Sequence, residues 1–465
     1  MDYSILINKN NKIKDNYLEK INLVTANDID NNEVKVEEET YKAYLKLKEF
    51  LSEKNIEIGI ASSYRSIEEQ NQIFNDFIET YGEEYAKKYA AIPAYSEHHT
   101  GLAIDIIIKI DNKFIDDNEY IFNNVEKYEI IHKYFKDFGF ILRYPKGKEH
   151  ITGYSYEPWH IRYTGKFIAN IIEENKLSLE EYKQTFSGVL VLNKKKGYTS
   201  FDLVNRVSKL FGIKKVGHTG TLDPLAEGVL VICIGQATKI VELLTAKDKE
   251  YIAQAKLGIK TDTYDIDGTV TEENIIKDNI DIKEILSTYK KTYLQEVPIY
   301  SAVKVKGKKL YEYARSKKDV TLPKKEVTIK EIELLSQKED TFTFKTLVTK
   351  GCYIRSLIND IGEDIGCGAV MTSLIRTKQG NIKIEEAYTI EDVEQGNYKL
   401  YKIEELLDYP QVVVDDELEF KIKNGVKVPN NWNIKNRVIF KNRNNKLLGI
   451  YEIDNKKLRV WKNFN

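Results

Sequence analysis

Two motifs of different chemistry lie on this one chain. They constrain its possible folds more than any other feature of the sequence. The first, SEHHTGLAID (96–105), places two of the six histidines beside a glycine and an aspartate. The second, GHTGTLDPLAEGVLVI (217–232), places an aspartate before a proline and ahead of an apolar run. A chain of 465 residues is also too long for one ordinary core. We therefore predict two to four domains, with the two motifs in different ones.

The composition, 42% hydrophobic and 31% charged, predicts a soluble globular protein. No apolar run approaches the roughly 18 residues that cross a bilayer, and the first residues lack the pattern of a signal peptide. The three cysteines are odd in number and far apart, which argues against a disulfide framework and for a reducing compartment. We expect a cytoplasmic protein without a membrane partner.

Charge is distributed unevenly, although the formal net charge is only −1. Residues 1–186 carry 24 basic and 33 acidic side chains, a net −9, and residues 187–465 carry 47 and 39, a net +8. A basic half favours a polyanion such as RNA as its partner, and an acidic half disfavours one. Scattered solvated charge explains the same counts equally well.

Hydrophobic periodicity predicts an α+β domain followed by a second mixed region and a small β domain. The expected helices are 33–55, 67–90, 119–139, 165–184 and 199–212, the last capped by Thr199 or Ser200. The expected strands are 56–66, 101–110, part of 150–165, 228–235 and 250–259. Residues 327–366 predict hairpin strands leading into a helix, and NRNNKLLGIYEID in the tail predicts a hairpin turn. We see no Pro/Gly/Ser-rich linker near Ser187.

The first motif is compatible with a metal site. His98 and Asp105 can converge from a loop and the following strand, with Gly101 allowing a turn. Glu157 and His160, in EPWHIRY, are close enough to face one pocket. Two histidines and one carboxylate suit catalytic zinc with a position open for water, which leaves Glu157 to take the proton. From spacing alone, ordinary surface or hydrogen-bonded histidines are the more common case.

Four motifs occur in order: SSYRSIEEQ (62–70), SEHHTGLAID, FGFILRYPKGKEHITGY (138–154) and EPWHIRY. Together they resemble those of the VanY-type D-alanyl-D-alanine carboxypeptidases. The resemblance covers about residues 3–184. It implies a zinc-dependent α+β domain that removes the terminal D-Ala from peptidoglycan precursor peptides.

The same resemblance implies a role for each matched residue. The implied ligands of Zn²⁺ are His98, Asp105 and His160. Glu157 would be the general base, and Arg65 would polarise the scissile carbonyl or bind the substrate carboxylate. Gln70 and Ser96 would shape the substrate pocket. The histidines expected to be structural or at the surface, not ligands, are His99, His132 and His150.

The second motif centres on Asp223. Pro224 biases Asp223 away from helix, and nearby glycines permit close backbone approach: Gly217, Gly220 and Gly228. An aspartate held rigidly on such a loop can be a nucleophile, a base or a metal ligand. On the motif alone, a simple Asp-Pro turn is the more common explanation.

Six motifs, the second of which contains residues 217–232, occur in order: GVLVLNKKKGYTSFDLV, KKVGHTGTLDPLAEGVLVICIGQATK, KEYIAQAKLGIKTDTYDIDG, QEVPIYSAVKVKGKKLYEYAR, KGCYIRSLINDIG and MTSLIRTKQG. Together they resemble the TruB-type tRNA pseudouridine synthases, which modify the T-loop uridine (position 55 by tRNA convention). The match covers about 187–400, and the tail resembles the small PUA-like domain of that family. It implies an α+β domain with a mixed or antiparallel sheet, tRNA as partner and no cofactor.

By this resemblance, Asp223 is the catalytic nucleophile and Arg355 pairs with it. The residues implied to contact the flipped base or line its pocket are His218, Tyr251, Tyr353 and Leu374. The lysines around 194–196, 214–215 and 304–309 suit phosphate contacts. The chain departs from the family at Lys195, where proline is usual, and at Cys352, where threonine is usual.

The leading hypothesis is a two-enzyme fusion. We expect a zinc carboxypeptidase at 1–185, a synthase at 187–405 and a PUA-like RNA-binding domain at 406–465. Its partners would be the tRNA T stem-loop and a D-Ala-terminated peptide, with no protein partner. Three alternatives stay open. The chain could be a synthase with a silent metal-binding module or an RNA-binding protein without activity. The join between the two halves could also come from the gene model or from a recent read-through event.

Overall fold

The computed structural model describes residues 2–277 and 279–464, and these form two compact units. One contains the chain up to Phe186 together with Ser208–Lys214, and the other contains the remainder. Among the described residues we find no helix with the length and apolar composition of a membrane span.

The first unit is built on an antiparallel sheet of four strands. In spatial order the strands are Ile58–Ser62, Ala103–Ile108, His160–Tyr163 and Phe140–Leu142. A separate hairpin pairs Leu23–Asn27 with Glu33–Glu37. The helices are Asp15–Leu18, Glu38–Ser52, Ile67–Tyr81, Glu83–Tyr89, Asn118–Phe122, Val125–Phe135, Glu149–Thr152, Lys166–Glu174 and Leu179–Thr185. Short 3₁₀ turns are Glu97–Thr100 and Lys136–Phe138.

The start of the predicted helix 33–55 is wrong. Residues Glu33–Glu37 form a strand, because the alternating sequence EVKVE buries Val36 opposite Val24 of the hairpin. The helix begins at Glu38, and the Glu37 carboxylate caps it by accepting the backbone N–H of Thr40. Pairing with a strand that the periodicity did not reveal therefore outweighs the local helical pattern.

Two other predicted helices are each interrupted. The segment 67–90 breaks at Gly82, whose φ is 88°. The segment 165–184 breaks after Glu174, and Ser178 starts a new helix with a capping box. The predicted strands 56–66 and 101–110 are confirmed by Ile58–Ser62 and Ala103–Ile108, and the predicted helical span 119–139 is helical apart from a break at residues 123–124.

The second unit is built on a mixed sheet of ten strands. Eight follow one another in the order Thr292–Glu296, Lys324–Lys338, Thr341–Val348, Lys249–Leu257, Ala369–Gln379, Glu227–Gly235, Ser187–Lys194 and Leu400–Tyr401. Two short strands, Ile382–Lys383 and Val216–His218, pair beside them. Only the pair of Glu227–Gly235 and Ala369–Gln379 is parallel among the described ladders of this sheet. The predicted mixed sheet is confirmed.

Helices and small hairpins surround this sheet. The helices are Ser200–Phe211, whose last turn from Ser208 belongs to the first unit, and Val241–Thr245, Ile282–Thr288, Leu310–Arg315, Ile354–Ile365 and Ile390–Glu394, with 3₁₀ turns at Gln236–Ile240, Ile384–Glu386 and Ile403–Glu405. The small pairs are Ile259–Thr261 with Val270–Glu273 and Lys304–Val305 with Lys308–Lys309. The hairpin strands and the helix predicted within 327–366 are confirmed.

The tail forms a five-stranded sheet with one helix, Asp416–Lys423. Its strands are Gln411–Val413, Arg437–Lys441, Leu447–Asp454, Lys457–Asn463 and Val428–Pro429. The predicted hairpin turn joins the second and third of them. Ile439 and Ile450 of this sheet share an apolar cluster with Val189 and Val231 of the main sheet, so the tail packs within the second unit.

Candidate functional sites

The first motif and a neighbouring strand bring three side chains together. His98 lies in a 3₁₀ turn, and Gly101, with a φ of 68°, redirects the chain into the strand Ala103–Ile108. Asp105 of that strand pairs with His160 of the next strand. One ligand atom from each of these three side chains lies within 4.8 Å of the others.

The hydrogen bonds of His98 show that a cation fits this cluster. Its Nδ1 lies 2.6 Å from the carbonyl oxygen of Ser63, to which it must donate. Burial and the nearby Arg65 lower the pKa of His98 to about 4, so the ring is neutral and Nε2 carries a lone pair. This Nε2 lies 3.2 Å from Asp105 Oδ2, so two hydrogen-bond acceptors face each other without a proton between them. A metal ion removes this conflict, and the donor set suits Zn²⁺ with one position open.

His160 offers its Nδ1 to the same centre. This atom lies 3.0 Å from Asp105 Oδ1, which has no hydrogen-bond partner among the residues described. Burial lowers the pKa of His160, but the Asp105 carboxylate outweighs burial and raises the pKa to about 9. A metal ion at this centre therefore competes with a proton on His160.

Glu157 stands beside the cluster. Its Oε2 lies 3.4 Å from His160 Nδ1. Burial raises the pKa of Glu157 to about 7, although the His160 charge opposes the rise. A carboxylate with a pKa near neutrality can accept and return a proton at physiological pH, as a general base must.

Arg65 reaches the cluster from the loop after the strand Ile58–Ser62. Its Nη2 lies 3.4 Å from Asp105 Oδ2 and 2.9 Å from Ser62 Oγ, and its side chain is 25% exposed. The buried Gln70 accepts from Arg65 Nη1 at 3.2 Å. Ser96 is also buried, and its Oγ accepts the backbone N–H of His98. The contacts of Gln70 and Ser96 thus run to Arg65 and His98, through which they can shape a pocket.

The other histidines of this unit have structural or surface positions, as expected. His99 is buried, with Nδ1 2.7 Å from the carbonyl oxygen of Arg65 and Nε2 accepting the N–H of Ala94. His132 Nε2 lies 2.9 Å from the carbonyl oxygen of Pro158. His150 is exposed.

Sequence reasoning missed a group of four buried charges next to the cluster. Glu97 Oε1 lies 2.8 Å from Arg143 Nε and 2.6 Å from Arg162 Nη1. Glu180 binds the other nitrogens of Arg143 at 2.6 and 3.0 Å. Burial alone would raise the pKa of Glu97, but the two guanidinium groups hold it well below its usual range. The contacting residues are far apart in the chain, so spacing gave no signal.

The second site is organised around an ion pair between Asp223 and Arg355. Arg355 Nε lies 2.9 Å from Asp223 Oδ2, and Nη2 lies 3.2 Å from Oδ1. Arg355 is buried at the start of the helix Ile354–Ile365, and it also donates to the carbonyl oxygens of Thr263 and Tyr300, both at 2.9 Å. These contacts fix the direction of the guanidinium, while Asp223 keeps a side chain that is 34% exposed.

A second carboxylate, Asp265, was missed by sequence reasoning. Its Oδ2 lies 3.5 Å from Arg355 Nη1, and its Oδ1 accepts the hydroxyl of Thr263 at 2.7 Å. Burial raises the pKa of Asp265, and the Arg355 charge opposes that rise. Arg355 therefore lies between two carboxylates. Asp265 lies in TYDIDG, the end of the motif KEYIAQAKLGIKTDTYDIDG, and this position was the signal that could have identified it.

The loop that carries Asp223 is anchored at several points. Buried Arg376 donates to the carbonyl oxygens of Val229 at 2.6 Å and Gly220 at 3.1 Å. Gln379 donates to Thr219 Oγ1 at 2.6 Å. A Cβ at Gly228, whose φ is 100°, would lie 2.3 Å from the carbonyl oxygen of Arg376. The close approach predicted at Gly228 is therefore real.

One detail of the sequence interpretation, the phosphate contact expected of Lys194, is wrong here. Lys194 is buried and directs its Nζ to the carbonyl oxygens of Pro224 and Ala226, at 3.3 and 2.5 Å. It supports the Asp223 loop from within the protein, so it does not present a charge to phosphate. A Cβ at Gly217 would meet no atom closer than 3.8 Å, so close packing does not require that glycine.

The remaining predicted pocket residues are Tyr251, Leu374, Tyr353 and His218. Tyr251 and Leu374, both buried, lie on one sheet face, because their cross-strand partners are Arg376 and Ala253 respectively. Burial raises the pKa of Tyr353, and the Asp223 charge adds to the rise, which reflects their proximity. His218 is half-buried, and its Nδ1 accepts the backbone N–H two residues later in the same loop.

Three family models match parts of the chain. The D-alanyl-D-alanine carboxypeptidase model, VanY, matches residues 33–166. The N-terminal domain model of the TruB family pseudouridylate synthases matches 208–354, and the tRNA pseudouridylate synthase B C-terminal domain model matches 355–411.

Individual proteins are similar to each half. The tRNA pseudouridine synthase B of Fusobacterium nucleatum is 44% identical over 285 residues, which cover 58% of this chain and 97% of that protein. The tRNA pseudouridine synthase B of Bacillus licheniformis is 46% identical over 255 residues, covering 52% and 82%. A solved structure of a variant of the vancomycin resistance D,D-pentapeptidase VanY, in complex with Zn(II), is 29% identical and covers 39% of this chain and 99% of that one, with a TM-score of 0.33.

Proposed function

We propose specific substrates and residue roles for this chain, which belongs to the tRNA pseudouridine synthase B family and carries a VanY-type D-alanyl-D-alanine carboxypeptidase domain ahead of the synthase. The synthase converts the T-loop uridine of tRNA to pseudouridine. The carboxypeptidase removes the terminal D-Ala of a peptidoglycan precursor peptide. We assign them to residues 187–405 and 1–185, with residues 406–465 as a PUA-like RNA-binding part.

The bidentate pair of Asp223 and Arg355 carries the synthase proposal. The reaction breaks the bond between ribose C1′ and uracil N1, rotates the base and forms a bond from C1′ to C5. The C5 proton is lost and N1 gains one, so no atoms are added and no cofactor is required. Asp223 acts as the nucleophile, and Arg355 aims its carboxylate. Tyr251, Tyr353, His218 and Leu374 hold the extruded base.

Tritium release from tRNA labelled at uridine C5 tests this assignment. Asp223→Asn should fold and bind tRNA but release no tritium, because an amide cannot act as the carboxylate nucleophile. Release by this variant at the wild-type rate would overturn the role of Asp223.

The proposal that zinc is the resident metal rests on two hydrogen-bond acceptors that face each other, His98 Nε2 and Asp105 Oδ2. His98, Asp105 and His160 would hold Zn²⁺, which supplies a Lewis acid to the peptide carbonyl and to water when bound. Glu157 takes a proton from the attacking water and returns it to the leaving amine of D-Ala. Arg65 binds the peptide carboxylate or polarises the carbonyl, because its guanidinium is partly exposed at the cluster.

Release of D-Ala from a soluble UDP-linked muramyl pentapeptide tests the carboxypeptidase. We expect release by the zinc-loaded chain, and none with a chelator or from Glu157→Gln. If a folded, zinc-loaded chain releases no D-Ala, the proposed carboxypeptidase activity on this peptide is wrong, and only the proposed synthase activity remains. We also propose a cytoplasmic location, because the tRNA substrate is there, and cell fractionation tests it.

A further inference from the structure

Glu97 is a buried carboxylate that the proposed reaction does not use. It is 2% exposed, and its Oε1 takes both guanidinium contacts, from Arg143 and Arg162. Its Oε2 has no hydrogen-bond partner among the described residues. That oxygen lies 3.9 Å from Nε2 of His160, a buried nitrogen that also has no such partner within the described structure.

The two unpartnered atoms lie on the side of His160 away from the cluster. His160 directs Nδ1 to Asp105 and Glu157, at 3.0 and 3.4 Å. An imidazole that binds a metal through Nδ1 carries its remaining proton on Nε2. A buried N–H needs an acceptor, and the Glu97 carboxylate is negatively charged and faces it. At 3.9 Å the contact is longer than a hydrogen bond, so a small shift of either side chain completes it.

The arginines hold Glu97 in position for this contact. Arg162 lies two residues after His160 on the same strand, so both side chains point to the same face. Arg143 is held in turn by Glu180, whose two oxygens lie 2.6 and 3.0 Å from it. With Oε1 occupied by both guanidinium groups, Oε2 is the oxygen left for His160.

We propose that Glu97 is a positioning residue that accepts the Nε2–H of His160 and so directs the Nδ1 lone pair of His160 to the metal position. The inference rests on the proposed zinc-dependent function. It assigns to the buried charges a role in metal affinity in addition to their role in packing. Removal of an acceptor of this kind from other metal sites weakens metal binding about 10–100-fold.

Zinc affinity of Glu97→Gln, measured by competition with a chromophoric chelator, tests the inference. Glu180→Gln is the matched control, because it also removes one carboxylate charge from Arg143, while the described contacts of Glu180 run to Arg143 and Asn8. We expect Glu97→Gln to weaken zinc binding about 10–100-fold and to change the visible spectrum of the Co²⁺-substituted chain. Glu180→Gln should bind zinc within about threefold of wild type and leave the spectrum unchanged.

Glu97→Asp covers the case in which the glutamine variant does not fold. It keeps the charge between the arginines but shortens the side chain, and it too should bind zinc more weakly. Equal zinc affinities in the Glu97 and Glu180 variants would overturn the inference and leave Glu97 a packing role alone. A wild-type chain that folds but binds no zinc would instead overturn the proposed function, and the inference with it.

Discussion

Arg355 contacts both oxygens of Asp223, at 2.9 and 3.2 Å, and its remaining nitrogen lies 3.5 Å from Asp265. Two backbone carbonyl oxygens accept further hydrogen bonds from the same guanidinium. One buried side chain thus fixes the direction of Asp223, the proposed nucleophile. A planar group with several donors is required for this, and a lysine ammonium does not have that geometry.

Arg355→Lys should therefore lower kcat for pseudouridine formation by at least about 100-fold while the charge is conserved. Arg206→Lys is the matched control, because Arg206 also binds a carboxylate, Glu394, with two nitrogens, but at the exposed surface. Tritium release at saturating tRNA measures both. A lysine variant of Arg355 with near wild-type kcat would contradict the positioning role.

Gly228→Ala should destabilise the second unit and abolish synthase activity. Its φ of 100° is unfavourable for alanine, and the new Cβ would lie 2.3 Å from the carbonyl oxygen of Arg376. We expect a loss of more than about 1 kcal/mol in the free energy of unfolding, measured by urea titration. Gly217→Ala changes a glycine of the same motif whose new Cβ would meet no atom closer than 3.8 Å, and it should unfold at the wild-type midpoint. Equal midpoints for both variants would contradict the packing argument.

The family resemblance of four ordered motifs, more than spacing alone, placed His98, Asp105 and His160 in one hypothesis. A glycine turn followed by an apolar strand predicts where Asp105 lies, and the strand of His160 is its neighbour. The helix expected from Glu33 failed because a strand partner, Leu23–Asn27, decided the conformation of Glu33–Glu37. Such a partner leaves no mark on the periodicity of the segment itself.

Buried charges were the other limit of sequence reasoning. Lys194 has the sequence context of a phosphate contact, yet its ammonium group lies against backbone carbonyl oxygens. Glu97 and Arg143 are far apart in the chain, and only the folded structure brings them within 2.8 Å. Composition and spacing describe exposed charge well, but they do not show which charged groups compensate each other in the interior.

Zinc affinity should increase with pH. The pKa of His160 is raised to about 9, because the Asp105 carboxylate outweighs the lowering effect of burial. Below that pH the ring is protonated at both nitrogens, so the metal must displace a proton from Nδ1. Affinity should therefore rise up to about tenfold for each pH unit between roughly 6 and 8. Competition with a chelator of known proton affinity measures it, and a pH-independent zinc affinity would contradict the assignment of His160 as a ligand.

Removal of the metal should separate the two activities. A chelator should abolish D-Ala release, because water and the peptide carbonyl lose their Lewis acid, and it should leave tritium release from tRNA unchanged. Zinc at a thousandfold excess over its Kd should stabilise the unit that contains His98 by about 4 kcal/mol, seen as a shift of one unfolding transition in calorimetry. Asp105→Asn should lose this shift, because an amide is a weaker ligand than a carboxylate. Loss of pseudouridine formation on chelation would contradict a synthase reaction that depends on Asp223 and Arg355 alone for its chemistry.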